Sequence, residues 1–137
     1  MRSQFVGCKH SRGHRHGLYP IRLGGPIFLK SEDPAELAAE HRRLGYSADY
    51  CPPVKVSETE RVREIEKAFR DAHVVISACC ACQNMLDPDP GKRRENLAYV
   101  TERCALADAV GARCCVDIAG SYDSAVWTGP NPKNLSK

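Results

Sequence analysis

The sequence predicts an α/β fold in which about four parallel strands alternate with three helices. Three stretches with apolar residues at helical spacing are each followed by a short, mostly apolar run of strand length. Each helical stretch begins at a capping residue, and a glycine follows the first and the third. Such alternation indicates βαβ units and a parallel sheet, in which ligands bind at the carboxyl ends of the strands.

Length and charge exclude several classes of protein. At 137 residues the chain holds one domain at most. A formal net charge of +3 is too small to indicate nucleic-acid binding by itself. Neither a membrane span nor the apolar core of a secretory signal is present, so we expect a cytoplasmic protein with no nucleic-acid or membrane partner.

The cysteines are predicted to be reduced thiols. Buried free cysteine behaves as a small hydrophobic residue, whereas disulfide scaffolds place cysteines in loops. Five of the eight cysteines lie within strand-like runs or on a helical stripe, namely Cys79, Cys80, Cys104, Cys114 and Cys115.

Residues 1–20 read as a flexible, disordered arm that is basic and rich in histidine. No Asp or Glu occurs between Met1 and Lys30, and the first twenty residues have no apolar period. Short His-rich tracts can bind metals. A regular Cys/His finger spacing is absent, so the disordered arm is favoured over a metal site formed by Cys8, His10, His14 and His16.

The first βα unit is predicted from residue 21 onwards. Ile21–Phe28 reads as a strand that leads into a glycine-rich turn, and Asp33–Gly45 reads as a helix. Asp33 and Glu36 form a capping-box pattern. On the apolar face of this helix, His41 is expected to be a packed residue and not a catalytic base, because helix bodies lie away from strand ends.

The second unit follows the same plan. Tyr46–Cys51 is predicted to be a strand, and Ser57–Ala72 a helix with Ser57 and Glu60 as a second capping box. A third strand is expected at His73–Cys79 and a loop at Cys80–Asp89.

The stretch from Asp87 to Ser121 is the most informative part of the chain. Asp89 is placed to cap a helix that starts at Pro90, and Gly111 can end it. The predicted buried stripe of this helix is Leu97, Val100, Cys104 and Ala107. A short apolar run from Cys114 to Ile118 then reads as a strand covered on both faces.

Four strands and three helices amount to half of an eightfold barrel, which needs about 250 residues. From the pattern alone, a small open α/β sheet is the alternative.

The sequences of several segments resemble those of a known family. IRLGGPIF, AEHRRLGYSADYCP, NMLDPDPGKRRENLAYVTERCALADAVGARCCVDIAGS and WTGPNPKNLS are similar to the N-terminal half of sugar phosphate isomerase/epimerase proteins. These are the xylose isomerase-like TIM barrels. The resemblance covers residues 21–137 and implies a partial (β/α)8 barrel, a divalent metal and isomerisation or epimerisation by proton transfer beside a carbonyl.

The same resemblance limits what this chain can do. The metal ligands of the family come from later strands, so no metal ligand is carried over to this sequence. We therefore expect a truncated form that lacks the metal site, is inactive alone and self-associates through exposed strand edges. The expected ligand is a sugar or a sugar phosphate.

Candidate substrate-binding residues follow from strand-end position. Asp117 is the one acid that ends a strand with a mostly apolar lead-in, and it has two open roles: substrate contact or orientation of loop amides. Trp127 is expected to cover the mouth of the pocket. The full candidate set is Tyr50, Cys51, Cys82, Asn84, Asp117, Gly120 and Ser121.

The alternative function is a small, non-catalytic α/β binding module that holds zinc through its cysteines. Cys79 and Cys82 have C-x-x-C spacing, but a thiolate zinc site needs four converging ligands. Cys114 and Cys115 are adjacent in a strand and point to opposite faces. Buried or pocket thiols are therefore favoured over zinc.

Overall fold

A computed structural model describes residues 21–135 of the chain. The predicted arm of residues 1–20 lies outside the described residues. The described part is an α/β fold with three parallel strands and three helices, and it forms part of a barrel, as predicted. In chain order the elements are α1 (Pro34–Arg43), β1 (Ala48–Tyr50), α2 (Thr59–Asp71), β2 (Val75–Cys80), α3 (Pro90–Ala109), β3 (Cys114–Val116) and a 3₁₀ turn (Pro132–Asn134).

The sheet has the order β1-β2-β3, and both pairings are parallel. The predicted first strand, Ile21–Phe28, is wrong in extent, because among its residues only Gly24 pairs, as an isolated parallel bridge to Ala48. A Cβ at Gly24 would lie 2.6 Å from the Ala48 carbonyl oxygen, so the two backbones approach more closely than a side chain allows. The neighbouring Leu23 carbonyl accepts hydrogen bonds from the Ser47 amide at 2.8 Å and the Ala48 amide at 3.2 Å, so this segment lies alongside β1 without forming a strand.

The helices cover one face of the sheet and form the core with it. Phe69 and Ile65 of α2 are each 1% exposed, and Leu106 of α3 is fully buried. They pack with Ile76 and Cys79 of β2 in one cluster. Burial of each large side chain contributes about 1.5–3 kcal/mol. The two longer helices therefore provide most of the apolar packing on the central strand.

The capping predictions had mixed outcomes at the first two helices. Asp33 caps α1 by accepting a hydrogen bond from the Ala35 amide at 2.8 Å. Glu36 does not complete the predicted box, because its carboxylate accepts from the Ser31 hydroxyl at 2.5 Å.

The predicted Ser57 and Glu60 box is wrong. A turn between Lys55 and Glu58 displaces Ser57 from the capping position. The residue before α2 is Glu58, which makes no side-chain cap and accepts from the Lys55 amide at 2.7 Å.

The predicted buried stripe of α3 is confirmed at Ala107, and Val100 is half-buried. Leu97 is 56% exposed and Cys104 is also exposed, so the predicted stripe is wrong at these positions. The buried face is Arg103, Leu106, Ala107 and Val110. Arg103 can be buried because its guanidinium donates to two backbone carbonyls outside the helix. A pattern of apolar residues cannot indicate that a charged residue lies on the buried face.

His41 is a packed residue, as expected. It is 1% exposed, and its ring centroid lies 5.9 Å from that of Phe69. Nδ1 lies 2.8 Å from the Leu37 carbonyl oxygen, and Nε2 lies 2.7 Å from Oδ2 of Asp49. The ring therefore links α1 to β1 within the core.

No helix within residues 21–135 is long and apolar enough to cross a membrane.

Candidate functional site

The candidate site lies at the carboxyl ends of β2 and β3, where two loops meet. Residues 81–87 follow β2, and residues 117–124 follow β3. Because both strands are parallel and adjacent, their following loops emerge at the same edge of the sheet. We refer to these two segments together as the strand-end rim.

Asn84 joins the two halves of the rim. Its side chain is buried, and Oδ1 accepts hydrogen bonds from the Ser121 amide at 2.9 Å and the Leu86 amide at 3.2 Å. The Asn84 carbonyl accepts from Asn96 Nδ2 of α3 at 2.7 Å. Asn84 therefore holds both loops together and connects them to the first half of α3. This residue, which was predicted to line the pocket, joins the two segments of the rim.

Gly120 is required by this junction. Its φ is +86°, a conformation that disfavours L side chains. A Cβ at this position would lie 2.0 Å from Asn84 Oδ1. The loop after β3 can therefore approach Asn84 only with glycine at residue 120.

Ser121 is fully buried beneath the rim. Its hydroxyl donates to Asn134 Oδ1 at 3.0 Å and accepts from the Asp123 amide at 3.1 Å. Asn134 Oδ1 also accepts from the Tyr122 amide at 3.0 Å. The predicted site residues Asn84, Gly120 and Ser121 are thus brought together, and they shape the rim from below.

Asp117 faces outward from the rim and is exposed. Oδ1 accepts from the Gln83 amide at 3.0 Å, which is the loop-orienting role considered for this residue. Within the described part of the chain, Oδ2 has no hydrogen-bond partner. One carboxylate oxygen is therefore fixed while the other can accept a hydrogen bond from a ligand hydroxyl.

Cys82 belongs to the same rim. Its thiol is partly exposed and lies 2.9 Å from the sulfur of Cys80, the last residue of β2. It also lies 4.0 Å from the Val116 carbonyl oxygen at the end of β3. Cys82 therefore sits between the ends of the two strands.

Tyr50 lies apart from the rim, at the carboxyl end of β1. It is 61% exposed and lines a cavity of about 370 Å3 on the side where Gly24 meets Ala48. Ser77 of β2 and Arg22 also line this cavity. A larger groove of about 800 Å3 lies between α1 and α2, away from the strand ends.

Cys51 does not join the rim, although it follows β1 directly. It packs against the helical core, and its thiol lies 3.3 Å from the Pro52 carbonyl oxygen. Burial, with a smaller effect from Cys79, raises the pKa of Cys51 to about 12. Its role in substrate binding stays a prediction, as does that of the half-buried Trp127.

The described residues do not fit a metal ion. Residues 21–135 contain no group of three or more His, Cys, Asp and Glu side chains that could hold one. Cys79 is fully buried in the core, whereas Cys82 lies beside Cys80, so the C-x-x-C pair does not converge. The zinc alternative therefore has no ligand set in this part of the chain.

Sequence reasoning missed two buried polar residues near the site. Asp87 is 5% exposed, and its Oδ1 accepts from the Asp89 amide at 2.9 Å and the Ser124 hydroxyl at 3.3 Å. The repeated Asp-Pro pairs before α3 could have indicated it, because Asp commonly binds the backbone two residues on. Arg103 had no such signal, since a charged helix residue is ordinarily placed on the solvated face.

The partial α/β barrel formed by residues 21–135 shares its fold with part of a protein of known structure. A solved structure with this fold is that of the apo form of the 3-keto-D-glucoside 4-epimerase YcjR from E. coli, which matches with a TM-score of 0.56 and 14% sequence identity. The match covers 79% of this chain and 42% of that chain, so the present sequence spans less than half of the epimerase. No protein-family description matches the sequence. A search of curated proteins also found no match.

Proposed function

We propose that residues 21–135 form the pocket-shaping part of a sugar isomerase or epimerase barrel. The observation that carries the proposal is the junction at Asn84, which ties the loops after β2 and β3 into one polar rim. Barrel enzymes bind their substrates at this end of the strands. The rim thus occupies the position expected of a substrate pocket.

The proposed reaction is proton transfer at a carbon beside a carbonyl group. A base removes the proton, and the resulting enediolate is stabilised until a proton returns at a different face or position. Because the structural neighbour is named for a 3-keto-D-glucoside, a keto glycoside is the first substrate to test here. Other sugars and sugar phosphates form the wider proposed class.

Two exposed groups are proposed to bind the substrate hydroxyls. Asp117 presents a carboxylate oxygen at the rim while Gln83 holds its partner oxygen in place. Tyr50 presents its phenol at the end of β1. A carboxylate accepts sugar hydroxyl hydrogens, and a phenol can both donate and accept. Together they would orient the sugar over the strand ends.

The base and a divalent metal are proposed to come from strands outside the described residues. Such a metal would polarise sugar oxygens when bound. Its ligands would lie on those other strands, because the side chains of residues 21–135 do not converge on a metal. Inactivity of this chain alone, as a truncated form, stays a prediction.

A cytoplasmic location is also proposed. All seven cysteines in the described part of the chain are free thiols, and four of them are buried or half-buried. Reducing compartments keep thiols in this state.

Binding of a keto glycoside tests the proposed role of Asp117. Asp117→Asn keeps an oxygen for the Gln83 amide but removes the charge offered to a sugar hydroxyl. A hydrogen bond to a charged group is worth about 1.5–3 kcal/mol, so we expect affinity to fall roughly tenfold or more. Ligand-observed NMR titration of the full chain measures this.

Matched controls distinguish the rim from the rest of the surface. Asp108→Asn changes an exposed carboxylate on α3 and should leave binding unchanged. Tyr50→Phe should also weaken binding, because it removes the exposed phenol hydroxyl at the end of β1. Equal effects in the paired variants, or stoichiometric zinc that Cys82→Ser removes, would contradict the proposal.

A further inference from the structure

Two thiols lie side by side at the carboxyl end of β2. Cys80 is exposed, Cys82 is partly exposed, and their sulfur atoms are 2.9 Å apart. Residues two apart in an extended chain point to the same face, which explains why both thiols face outward while Ala81 between them is fully buried. The pair is accessible from solvent and requires no rearrangement to bring the sulfurs together.

The backbone around this pair is held on both sides. The Ala81 amide donates to the Val116 carbonyl at 2.8 Å, and the Gln83 amide donates to Asp117 Oδ1 at 3.0 Å. Arg103 Nε donates to the Cys80 carbonyl at 3.1 Å. These bonds anchor the segment to β3 and α3, so the juxtaposition of the thiols is set by the fold.

The pKa values of the two thiols are shifted in opposite directions, as in a pair in which one sulfur attacks and the other resolves the product. The hydrogen bond between the two side chains lowers the pKa of Cys80, with smaller contributions from the Cys82 backbone and the charge of Arg103. The pKa of Cys82 is raised, first because of its hydrogen bond with Cys80. The thiolate is the reactive form of cysteine, and Cys80 is also the more exposed of the two, so it is the better placed to attack and Cys82 to resolve the product.

Three other cysteines in the described part of the chain are less accessible, since Cys79 is buried and Cys51 and Cys115 are half-buried. Cys51 packs against the core in which Cys79 is fully buried, and burial raises the pKa of both thiols. Burial, followed by hydrogen bonding to Cys104, raises the pKa of Cys115 to about 11. Cys51, Cys79 and Cys115 are therefore held as thiols under conditions in which Cys80 ionises more readily.

We propose that Cys80 and Cys82 form a redox-active dithiol that a low-molecular-weight disulfide oxidises reversibly. The Cys80 thiolate attacks the small disulfide, forms a mixed disulfide and releases one small thiolate. The Cys82 thiolate then attacks the Cys80 sulfur and releases the second. The protein loses two electrons and two protons, and the small disulfide is reduced to two thiols.

The product is a disulfide between residues two apart at the rim. Its bond is about 2.05 Å long, so the sulfurs approach by less than 1 Å on oxidation. A ring this small is strained, and strained, exposed disulfides are easily reduced. We therefore expect reversal by reduced glutathione. This thiol chemistry does not depend on sugar binding.

Differential alkylation of the full chain in glutathione buffers tests the proposal. Thiols are labelled before and after reduction, and the peptides are analysed by mass spectrometry. In the unmodified chain, Cys80 and Cys82 should lose reactivity together, with loss of two hydrogens and no retained glutathione. Cys82→Ser should retain glutathione on Cys80, because the resolving thiol is absent.

Two further variants make the result specific. Cys80→Ser should slow the reaction of the full chain with oxidised glutathione about tenfold. The rate is followed on the peptide that spans residues 71–92. Cys104→Ser, which removes an exposed thiol on α3, should behave like the unmodified chain. Stable glutathione on the unmodified chain, or a Cys79–Cys82 disulfide in Cys80→Ser, would overturn the assignment. A thermal unfolding curve for each variant confirms that the readouts come from folded protein.

Discussion

At the scale of single residues, the rim depends on the close approach of Gly120 to Asn84. The approach leaves no space for a methyl group, since a Cβ would lie 2.0 Å from Asn84 Oδ1. The same oxygen accepts two backbone amides in a buried position. A small change at residue 120 should therefore disturb both loops.

Gly120→Ala should destabilise the chain more than Gly129→Ala. Both glycines have a φ of +86°, so each alanine incurs about 1–2 kcal/mol of backbone strain. Only Gly120 adds a steric overlap, because nothing lies within 4 Å of the Cβ position at Gly129. Displacing a buried acceptor costs about 1–3 kcal/mol more. Urea unfolding measures the difference, and equal losses in the two variants would contradict the role given to Asn84.

The Cys51 thiol predicts a loss of stability in alkali. Burial raises its pKa to about 12 in the folded chain, so the unfolded chain loses this proton at lower pH. Fewer protons on the unfolded state make stability fall as pH rises, from the ordinary thiol pKa of about 8.5 up to about 12. Below that window the contribution is fully present.

Cys51→Ser isolates this effect. The unfolding free energy of the variant should fall less steeply across the alkaline window than that of the unmodified chain. Cys114→Ser, at an exposed thiol of β3, serves as the control. An identical alkaline slope in the Cys51 variant would show that this thiol is not held protonated by the fold.

Single-residue features were predictable where the chemistry is local. Asp89 caps α3 as predicted, and its Oδ1 accepts from the Gly91 amide at 2.6 Å and the Lys92 amide at 3.3 Å. Asn84, Gly120 and Ser121 were placed at strand ends by position alone. Their mutual contacts join residues about 37 positions apart, which no local pattern encodes.

At the scale of elements, α3 is attached to the sheet by a buried guanidinium. Arg103 is 9% exposed, and it donates to the Cys80 carbonyl at 3.1 Å and the Val54 carbonyl at 3.1 Å. It thereby links the helix to the end of β2 and to the segment before α2. The polar link lies beside the apolar contacts of Leu106 and Val110.

Arg103→Met should weaken this attachment. Methionine keeps much of the side-chain length but leaves two carbonyl oxygens without their donor, so we expect a loss of about 2–3 kcal/mol. Arg94→Met, at an exposed position of the same helix, should change stability by less than about 0.5 kcal/mol. Chemical unfolding of both variants checks this, and a neutral Arg103→Met would contradict the anchoring role.

The order of elements was predictable, but the face of α3 was not. Helical spacing and caps were sufficient to identify three helices between strand-like runs. The apolar spacing of Leu97, Val100, Cys104 and Ala107 nevertheless selected a partly exposed face, because it ignored the reach of Arg103. The length of the first strand was also overestimated. Its pairing depends on Ala48, a partner that is distant in the sequence and that a local pattern does not reveal.

At the scale of the whole molecule, β3 forms an open edge in residues 21–135. It pairs with β2 on one side, and within the described residues no strand pairs with it on the other. Val116 on this strand and Leu97 on the neighbouring helix are exposed. Unpaired edges favour the addition of another strand.

A second copy of the chain is the occupant we propose for this edge. Sedimentation velocity should show association that grows with concentration, and Val116→Lys should reduce it, because lysine on an edge strand disfavours pairing. Ala39→Lys adds the same charge at an exposed position of α1 and should not. A dilute, monomeric chain with a sharp, reversible unfolding transition would contradict this prediction.

Deuterium exchange tests most directly whether the strand-end rim belongs to a sugar isomerase or epimerase. The protein is made from the coding frame that contains this chain. A 3-keto glycoside is incubated in D2O with Mn2+, and NMR follows deuterium at the carbon beside the ketone. We predict exchange that EDTA abolishes, that Asp117→Asn slows roughly tenfold or more and that Asp108→Asn leaves unchanged. Folded protein that exchanges no deuterium into keto sugars or sugar phosphates would contradict the assignment of this rim to a sugar isomerase or epimerase.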